Sequence, residues 1–168
     1  MATRKKVPTR GYNAEGSRPQ LRPIGVIRSD LKQRGQAPRQ GREGAPDAWL
    51  EVNSLAAPGL EGIEAGSDII VVTWLHRGRR DVLKVRPRSD PQRRLTGVFA
   101  TRSPDRPNPI GLHRVTVRSI DRTRLRIGPI EAIDGTPVVD IKPVLRSPGL
   151  RSMDESWICA HAVAFVTY

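Results

Sequence analysis

Short apolar segments separated by glycine and proline limit most strongly what this chain can fold into. The sequence has 15 Gly and 15 Pro among its 168 residues, and both residue types interrupt helices and mark turns. No segment has the periodicity of an amphipathic helix, whereas seven or eight segments have the length and composition of strands. Short strands at regular spacing are typical of sandwiches and barrels. The sequence therefore predicts one all-β domain.

The strand pattern is clearest in residues 68–75, DIIVVTWL, the most apolar run of the chain. Its length and its β-branched residues favour a buried central strand over a helix. We expect residues 81–85 to pair with it in a hairpin, and DGTP at 134–137 to form a turn. Further strands are predicted at 23–29, 48–52, 115–118, 124–127, 138–143 and 162–168, with a loop at 32–44, a turn at 120–123 and one helical turn at 58–64.

The charge of the chain is strongly positive and is carried mainly by arginine. The formal net charge is +12 and the pI is about 11.2, which indicates a polyanionic partner, with nucleic acid the first expectation. Arginine favours bidentate contact with phosphate and stacking on bases. Aromatic residues make up only 4% of the chain, so a row of exposed rings is not expected to be the main binding mode.

The charges are also unevenly distributed. Residues 43–68 contain six acids and no Lys or Arg, and we interpret them as a separate face that keeps RNA off that side. Residues 77–106 contain ten basic residues and three acids, the strongest basic segment of the chain. Residues 1–22 contain six basic residues and one acid and are predicted to be a flexible basic arm. This arm is interpreted as a contact to RNA phosphates, or as a solubilising tail or a misplaced start site.

Several classes of chemistry have no signal in the sequence. No GxGxxG follows a strand, and neither GxxxxGK[ST] nor GxSxG occurs. Cys159 is the only cysteine, so an intrachain disulfide and a thiolate metal cluster are excluded. His76, His113 and His161 lack the spacing of a zinc site, and no metal is expected. With no signal peptide and no apolar stretch of membrane-spanning length, the expected compartment is the cytoplasm.

Residues 97–115, GVFATRSPDRPNPIGLHRV, form an unusually stiff polar stretch. Pro104, Pro107 and Pro109 fix the backbone at three points, which excludes a helix there and lowers the entropy lost on binding a ligand. Arg102 and Arg106 supply forked donors suited to carboxylate or phosphate. The alternative interpretation is a proline-rich surface turn with solvated arginines.

The same stretch resembles a known family. ATRSPDRPNPIGL at 100–112 is similar to the hallmark motif of the tRNA methyltransferase O family, also called the TsaA-like family. Three further motifs agree in order and spacing: IGVIRS at 24–29, GLEGIE at 59–64 and DGTPVVDIKP at 134–143. The resemblance covers roughly residues 22–145. We therefore expect a family domain at 23–145, preceded by the arm at 1–22 and followed by an extension at 146–168 that packs on the barrel or on a dimer partner.

The resemblance implies a small antiparallel β-barrel with short helical turns. It also implies a homodimer that binds S-adenosyl-L-methionine and methylates N6 of a threonylcarbamoyl-modified adenosine at position 37, in the anticodon loop of tRNA. Carried over residue by residue, the cofactor contacts of the family fall on Arg39, Gln40, Gly41, His76, Arg77, Arg102, Leu112, Ile130, Glu131, Ala132 and Ile133. These positions lie at predicted strand ends and loops, where the mouth of a barrel would gather them.

The chemistry that the resemblance implies needs no metal and no covalent intermediate, because methyl transfer from a sulfonium is an in-line displacement. An oxygen that accepts the hydrogens of the acceptor amine would favour attack, and Asn108 or Asp140 is the hypothesis for it. Arg106 is expected either to fix its own loop or to bind RNA. The predicted contacts to RNA are Arg79, Arg80, Arg86, Arg93, Arg94 and Arg106.

The chain departs from the family pattern at three positions. His113 stands where a small residue such as Ser is usual, Arg77 where a neutral amide is frequent, and Val144 where an aromatic residue is common. These departures keep two alternatives open. One is a methyltransferase that uses the same cofactor on another RNA or on a small molecule; the other is a non-catalytic RNA-binding barrel.

Overall fold

The computed structural model describes residues 20–87 and 90–145. Nearly all of the predicted arm and the whole predicted extension, with its strand at 162–168, lie outside these residues. Within them the chain is built from strands and short 3₁₀ helices, which confirms the all-β prediction. The strands are β1 (Gly25–Arg28), β2 (Ala48–Val52), β3 (Asp68–Trp74), β4 (Lys84–Val85), β5 (Thr96–Gly97), β6 (Ile110–Asp121), β7 (Arg124–Gly128) and β8 (Pro137–Pro143). The 3₁₀ helices include Gly41–Glu43, Ala57–Leu60 and Val98–Ala100.

Six of the strands form a closed antiparallel barrel in the order β1-β2-β7-β6-β3-β8, and β8 pairs with β1 to close it. Closure leaves no free sheet edge among these six strands. β4 and β5 pair separately as a small hairpin. The predicted barrel is thereby confirmed.

Alternation along the strands builds the core. On β2 the side chains of Ala48, Leu50 and Val52 are buried and the residues between them are partly exposed. β7 contributes Leu125 and Ile127 to the same cluster. One face of each strand therefore fills the barrel, and the other face is left for solvent or a partner.

β3 is central in the pairing, since β6 lies on one side of it and β8 on the other. Its burial nevertheless alternates, with Ile69, Val71 and Thr73 buried and the residues between them only partly buried. The predicted hairpin between this strand and residues 81–85 is wrong. Both edges of β3 are already occupied, and Lys84–Val85 pairs with Thr96–Gly97 instead.

The predicted acidic face is also not observed as a separate surface. Asp47 lies 3.7 Å from Arg118 and 3.6 Å from Arg126, whereas Glu51 lies 2.8 Å from Arg28 and 3.4 Å from Arg124. Strands that are distant in sequence bring these arginines beside the acids. Linear charge runs therefore do not become faces when neighbouring strands come from other parts of the chain.

The topology gathers three connections at one end of the barrel. They are residues 29–47 between β1 and β2, residues 75–109 between β3 and β6, and residues 129–136 between β7 and β8. We call this end the site end. The opposite end carries residues 53–67, the tight turn after β6 and the chain after β8. No helix among the described residues is long and apolar enough to cross a membrane.

Candidate functional site

The site end holds ten of the eleven predicted cofactor residues. Arg39, Gln40 and Gly41 lie in the first connection, three others lie in the second, and 130–133 lie in the third. Leu112 is the third residue of β6, faces outward and is 55% exposed. The fold therefore brings together positions that are far apart in sequence.

Gly41 lies directly against the third connection. A Cβ added to Gly41 would lie 2.6 Å from the Pro129 carbonyl oxygen and 3.3 Å from Glu131 Oε2. The amide of Ile130 donates to the Pro46 carbonyl at 3.0 Å, which holds the same two connections together. Only a residue without a side chain permits this approach.

A buried polar chain links Glu131 to the barrel wall. His113 Nδ1 lies 3.0 Å from Glu131 Oε1, and His113 Nε2 lies 2.9 Å from Thr73 Oγ1. Gly111 borders this chain, because a Cβ there would lie 2.5 Å from Thr73 Oγ1. His113 faces inward on β6 and is only 5% exposed, so both of its ring nitrogens need the partners they have.

The surroundings of Glu131 keep its carboxyl ionised. Burial acts to raise its pKa, but the hydrogen bond and charge of His113, a backbone hydrogen bond and the charge of Arg102 outweigh burial and lower the pKa from its usual value. A negative charge is therefore held at the rim of the site end, beside Gly41. Such a charge suits a cationic ligand.

The neighbours of Glu131 contribute differently. Ile130, Ala132 and Ile133 are 0%, 3% and 8% exposed, and their side chains belong to the interior. These three residues therefore offer little or no accessible surface to a ligand in this structure. The side chain of Glu131 is more accessible than these three and lies beside Gly41.

His76 carries a buried nitrogen, Nδ1, that has no hydrogen-bond partner among the described residues. Burial first, and then the positive charge of Arg77, lowers the pKa of His76, so the ring is neutral near pH 7. Unsatisfied buried polar atoms are uncommon in native proteins and are frequent where a ligand supplies the partner. His76 is also the second residue after β3, at the site end.

Arg106 fixes the proline-rich stretch from within. Its guanidinium donates to the carbonyls of Ser103 at 2.8 Å and Val98 at 3.1 Å, and also to that of Thr101. The side chain is half-buried and these contacts occupy it. Of the two predicted roles of Arg106, the geometry favours fixation of its own loop over RNA contact.

Asp105 ties the stretch to the first connection and to the start of the second. Its carboxylate lies 2.9 Å from Arg34, 3.6 Å from Arg79 Nε, and accepts the Arg79 amide at 2.9 Å. Arg34 also donates to the Arg77 carbonyl, and Arg77 donates to the Lys32 carbonyl. Sequence reasoning missed Asp105 and Arg34, because nothing local in either motif indicates its distant partner.

Asn108 and Asp140, the two hypothetical amine acceptors, lie in different places. Asn108 is exposed at the site end, just before β6 begins. Asp140 lies on the outer wall of the barrel, where its carboxylate is 2.9 Å from Lys142 Nζ. In the pairing of the strands, Asp140 stands opposite Val72, two strands from Leu112. The structure does not bring the two candidates to one point.

The predicted RNA-binding arginines other than Arg106 are exposed along the second connection. Arg80 stacks over the Trp74 ring at 5.1 Å, and Arg93 pairs with Asp90 at 3.5 Å. Arg102, a predicted cofactor residue, is also exposed there. The exposed arginines predicted to bind RNA are Arg79, Arg80, Arg86, Arg93 and Arg94.

Neither of two concave surfaces on the barrel coincides with the predicted cofactor residues. One is lined by residues of β1, β2 and β7, including Trp49, and the other by residues at the opposite end, including Asp68. The described part of the chain also shows no cluster of His, Cys, Asp and Glu that could hold a metal ion. The site end is formed by the three connections between strands.

Comparison with known proteins identifies relatives of this barrel. The family model described as the tRNA-methyltransferase O N-terminal domain matches residues 26–148. The chain is 44% identical over 122 residues to an S-adenosyl-L-methionine-binding protein of Archaeoglobus fulgidus, covering 73% of this chain and 86% of the relative. It is 42% identical over 123 residues to a probable S-adenosyl-L-methionine-binding protein of Methanothermobacter thermautotrophicus, covering 73% and 88%.

A solved structure supports the same relationship. The crystal structure of TrmO from Pseudomonas aeruginosa superposes with a TM-score of 0.63 at 30% sequence identity, over 90% of this chain and 61% of that one. The chain therefore spans less than two thirds of the length of that structure. The similarity extends to the barrel and to the connections at the site end.

Proposed function

We propose that this chain, which belongs to the tRNA-methyltransferase O N-terminal domain family, uses S-adenosyl-L-methionine to methylate N6 of a threonylcarbamoyl-modified adenosine at position 37 of tRNA. The observation that carries the proposal is the site end, where Gly41, Glu131, His76 and Arg102 come from three separate connections to one end of the barrel. Relatives over 40% identical are named for binding the same cofactor.

The residues at the site end fit this cofactor. Its sulfonium and ammonium groups are cationic, and the Glu131 carboxyl has a lowered pKa. The carboxylate of the cofactor suits the forked donors of Arg39 and Arg102. The buried Nδ1 of His76 has no partner among the described residues and can form a hydrogen bond with a ligand. Both charge signs and an unsatisfied polar atom are therefore available on one surface.

When bound, the cofactor supplies an electrophilic methyl group. The chain holds the cofactor and the acceptor in position and forms no covalent intermediate, because an in-line displacement requires only alignment and charge stabilisation. His113 and Thr73 hold Glu131, while Arg106 and Asp105 hold the proline-rich stretch. Rigid support of this kind lowers the entropy lost when the two substrates meet.

Asn108 is our choice for the group that accepts a hydrogen of the acceptor amine. It is exposed at the site end, and its position is fixed by the prolines on either side. Asp140 is the weaker choice, because its carboxylate pairs with Lys142 on the outer wall. An oxygen acceptor in this place raises the electron density on the amine nitrogen as it attacks.

The substrate proposal draws support from charge. The net charge of +12 and the exposed arginines of the second connection suit a polyanion. An adenosine in an anticodon loop is already single-stranded, so it can leave the stack at low cost. We expect this reaction to take place in the cytoplasm.

We also propose that two copies associate. Phe99, Ile110 and Leu112 are 78%, 42% and 55% exposed near the site end. Large apolar side chains left in water are typical of a surface that is covered by a partner. Sedimentation at micromolar concentration measures this association, and a monomer at those concentrations contradicts it.

Two measurements test the proposed function. Calorimetry with S-adenosyl-L-methionine should show binding, and absence of binding at millimolar cofactor would exclude every cofactor-dependent activity, leaving an RNA-binding barrel. Mass spectrometry of tRNA nucleosides from a deletion strain should show loss of the methylated threonylcarbamoyladenosine and its return on complementation. Unchanged levels, with cofactor binding intact, would assign the enzyme to another acceptor.

A further inference from the structure

The outer wall formed by β1, β2, β7 and β6 carries an arrangement that the site end does not use. Trp49 on β2 stands opposite Arg28 of β1 on one side and Arg126 of β7 on the other. Arg124, one position further along the same face of β7, places its guanidinium 4.7 Å from the centre of the Trp49 ring. Three arginines thus surround one tryptophan on a solvent-facing sheet.

A fourth arginine joins this face through a β-bulge. The register between β6 and β7 shifts between Val117 and Ser119, which leaves Arg118 as the extra residue. Bulges re-aim a side chain relative to the regular ladder. Arg118 consequently reaches Asp47, the same carboxylate that Arg126 approaches. We call Arg28, Arg118, Arg124 and Arg126, together with Trp49, the arginine wall.

The carboxylates of this face are outnumbered. Asp47 is shared by Arg118 and Arg126, and Glu51 is shared by Arg28 and Arg124. Each of these two carboxylates can neutralise one of its two arginines. Asp30 also lines this face, so four arginines stand against three acids and a small excess of positive charge remains. The arginine side chains are 45–55% exposed, which leaves donors free to meet further anions.

The wall is also concave where it meets the site end. A depression of mainly polar surface is lined by Arg28, Asp30, Asp47, Ala48, Trp49 and Arg126. A Cβ added to Gly128 would collide with Asp47, and Pro46, the residue before Asp47, accepts the Ile130 amide. The arginine wall therefore continues into the connection that carries Glu131.

We propose that the arginine wall binds the RNA strand that flanks the target nucleotide, with the arginines on successive phosphates and the Trp49 ring against one base. This inference rests on the proposed function for its tRNA partner. Arginine beside an aromatic ring on an exposed sheet is the combination that single-stranded nucleic acid uses, since phosphates meet the guanidinium donors and a base meets the ring. The two carboxylates hold the guanidinium groups in place while leaving excess positive charge.

The position of the wall gives the flanking strand a direction. Phosphates of one strand are spaced at several ångströms, similar to the spacing between neighbouring strands of a sheet. An RNA strand that crosses β1, β2 and β7 can therefore meet Arg28, Trp49 and Arg126 in turn. The end of this RNA segment beside Asp47 then lies next to the connection that holds Glu131.

The test measures RNA binding directly, without methyl transfer. A fluorescently labelled tRNA anticodon stem-loop is titrated with the full chain at several salt concentrations, and anisotropy gives the Kd. The double variant Arg118→Gln/Arg126→Gln should weaken binding about tenfold or more and lower the slope of log K against log salt by about one to two. Trp49→Leu should weaken binding about tenfold, and Trp49→Phe, which keeps a ring, by much less.

Arg114→Gln is the matched control. Arg114 also faces outward on β6 and also pairs with an acid, Asp68, at 3.4 Å, but it lies away from the arginine wall. Circular dichroism and calorimetry with S-adenosyl-L-methionine should be unchanged in all these variants, which shows that fold and cofactor site are intact.

Three outcomes overturn the proposal. Equal losses in Arg114→Gln and in the wall variants would mean that only overall charge matters. Unchanged RNA binding in the wall variants would mean that the arginine–carboxylate pairs are structural, while the proposed function would stand. Failure of the unaltered chain to bind the stem-loop would remove the tRNA substrate and the wall together, whereas cofactor binding would still be measured on its own.

Discussion

His113 Nδ1 and Glu131 Oε1 lie 3.0 Å apart, joining the inner face of β6 to the segment between β7 and β8. The two residues are 18 positions apart in sequence, and the side chain of His113 is buried whereas that of Glu131 is 23% exposed. The pair therefore connects the rigid barrel to Glu131, whereas Asp134, the other charged residue of that segment, pairs with Lys32 at 3.2 Å.

Breaking this pair should destabilise the protein in a pH-dependent way. The folded pKa of Glu131 is lowered below the reference value of 4.5, so the resulting stabilisation is fully present above the unfolded pKa and is lost as pH falls through the folded pKa. Glu131→Gln should cost about 1–3 kcal/mol at pH 7, and the cost should shrink below about pH 4.5. Urea unfolding at pH 7 and at pH 3.5 measures the difference.

His113→Asn should give the complementary result, since the loss of its hydrogen bond and charge raises the pKa of Glu131. Binding of S-adenosyl-L-methionine should weaken in both proteins as the pH falls. In the variant, this weakening should begin at a higher pH than in the unaltered chain. Thr73→Val is the control, because it removes only the hydrogen bond between Thr73 and His113. It should shift the pH dependence of cofactor binding less than His113→Asn does. The same pH dependence of cofactor binding in all three proteins would argue against an electrostatic role of the pair.

Gly41→Ala should test whether the close packing of the first connection against the third matters for cofactor binding, apart from the stability of the fold. The new Cβ meets the Pro129 carbonyl oxygen at 2.6 Å, and two backbone segments cannot both stay in place. The affinity for S-adenosyl-L-methionine should fall about tenfold, which corresponds to about 1.4 kcal/mol. Gly35→Ala is the matched control in the same connection, because a Cβ there meets nothing within 4 Å. Similar affinities of the two variants would mean that the close approach is unimportant for the cofactor.

Asp105→Asn should loosen three segments at once. The neutral amide still accepts the Arg79 amide but no longer attracts the Arg34 and Arg79 guanidinium groups. Since these arginines are 42% and 67% exposed, screening limits the loss of stability to about 1 kcal/mol. Hydrogen exchange should speed up in residues 32–34 and 77–79. Asp90→Asn, whose pair with Arg93 lies within the second connection, should leave those residues unchanged.

Asn108→Ala and Asp140→Asn together show which of the two side chains accepts a hydrogen bond from the amine that is methylated. Asn108→Ala should lower kcat by about tenfold or more with the KM for cofactor unchanged, because a hydrogen-bond acceptor matters only as the amine attacks. Asp140→Asn should have the smaller effect, since the carboxylate pairs with Lys142 away from the site end. Single-turnover methyl transfer is the measurement, and full activity of Asn108→Ala would remove Asn108 from this role.

Local patterns in the sequence predicted much of the fold. Alternation and β-branched residues gave β2 at Ala48–Val52, and the same signals with a tight turn gave the β6–β7 hairpin. The DGTP motif is a turn before β8, as expected. These features depend on neighbours within a few residues, which a sequence displays directly. The start of β6 was missed by five residues, because pairing with β3 extends the strand back to Ile110.

The family motifs put the predicted cofactor residues at strand ends and in loops that a barrel mouth would gather, and the strand order brings the connections that carry ten of the eleven to one end. The sequence by itself determined the strand content, the excess of arginine and the stiffness of the stretch from Thr101 to Pro109. The tertiary structure alone decided which charges meet: His113 with Glu131, Arg34 with Asp105, and Asp47 and Glu51 with arginines of β1, β6 and β7. Charge pairing depends on distance in space, and barrel closure sets that distance between strands that the sequence keeps far apart.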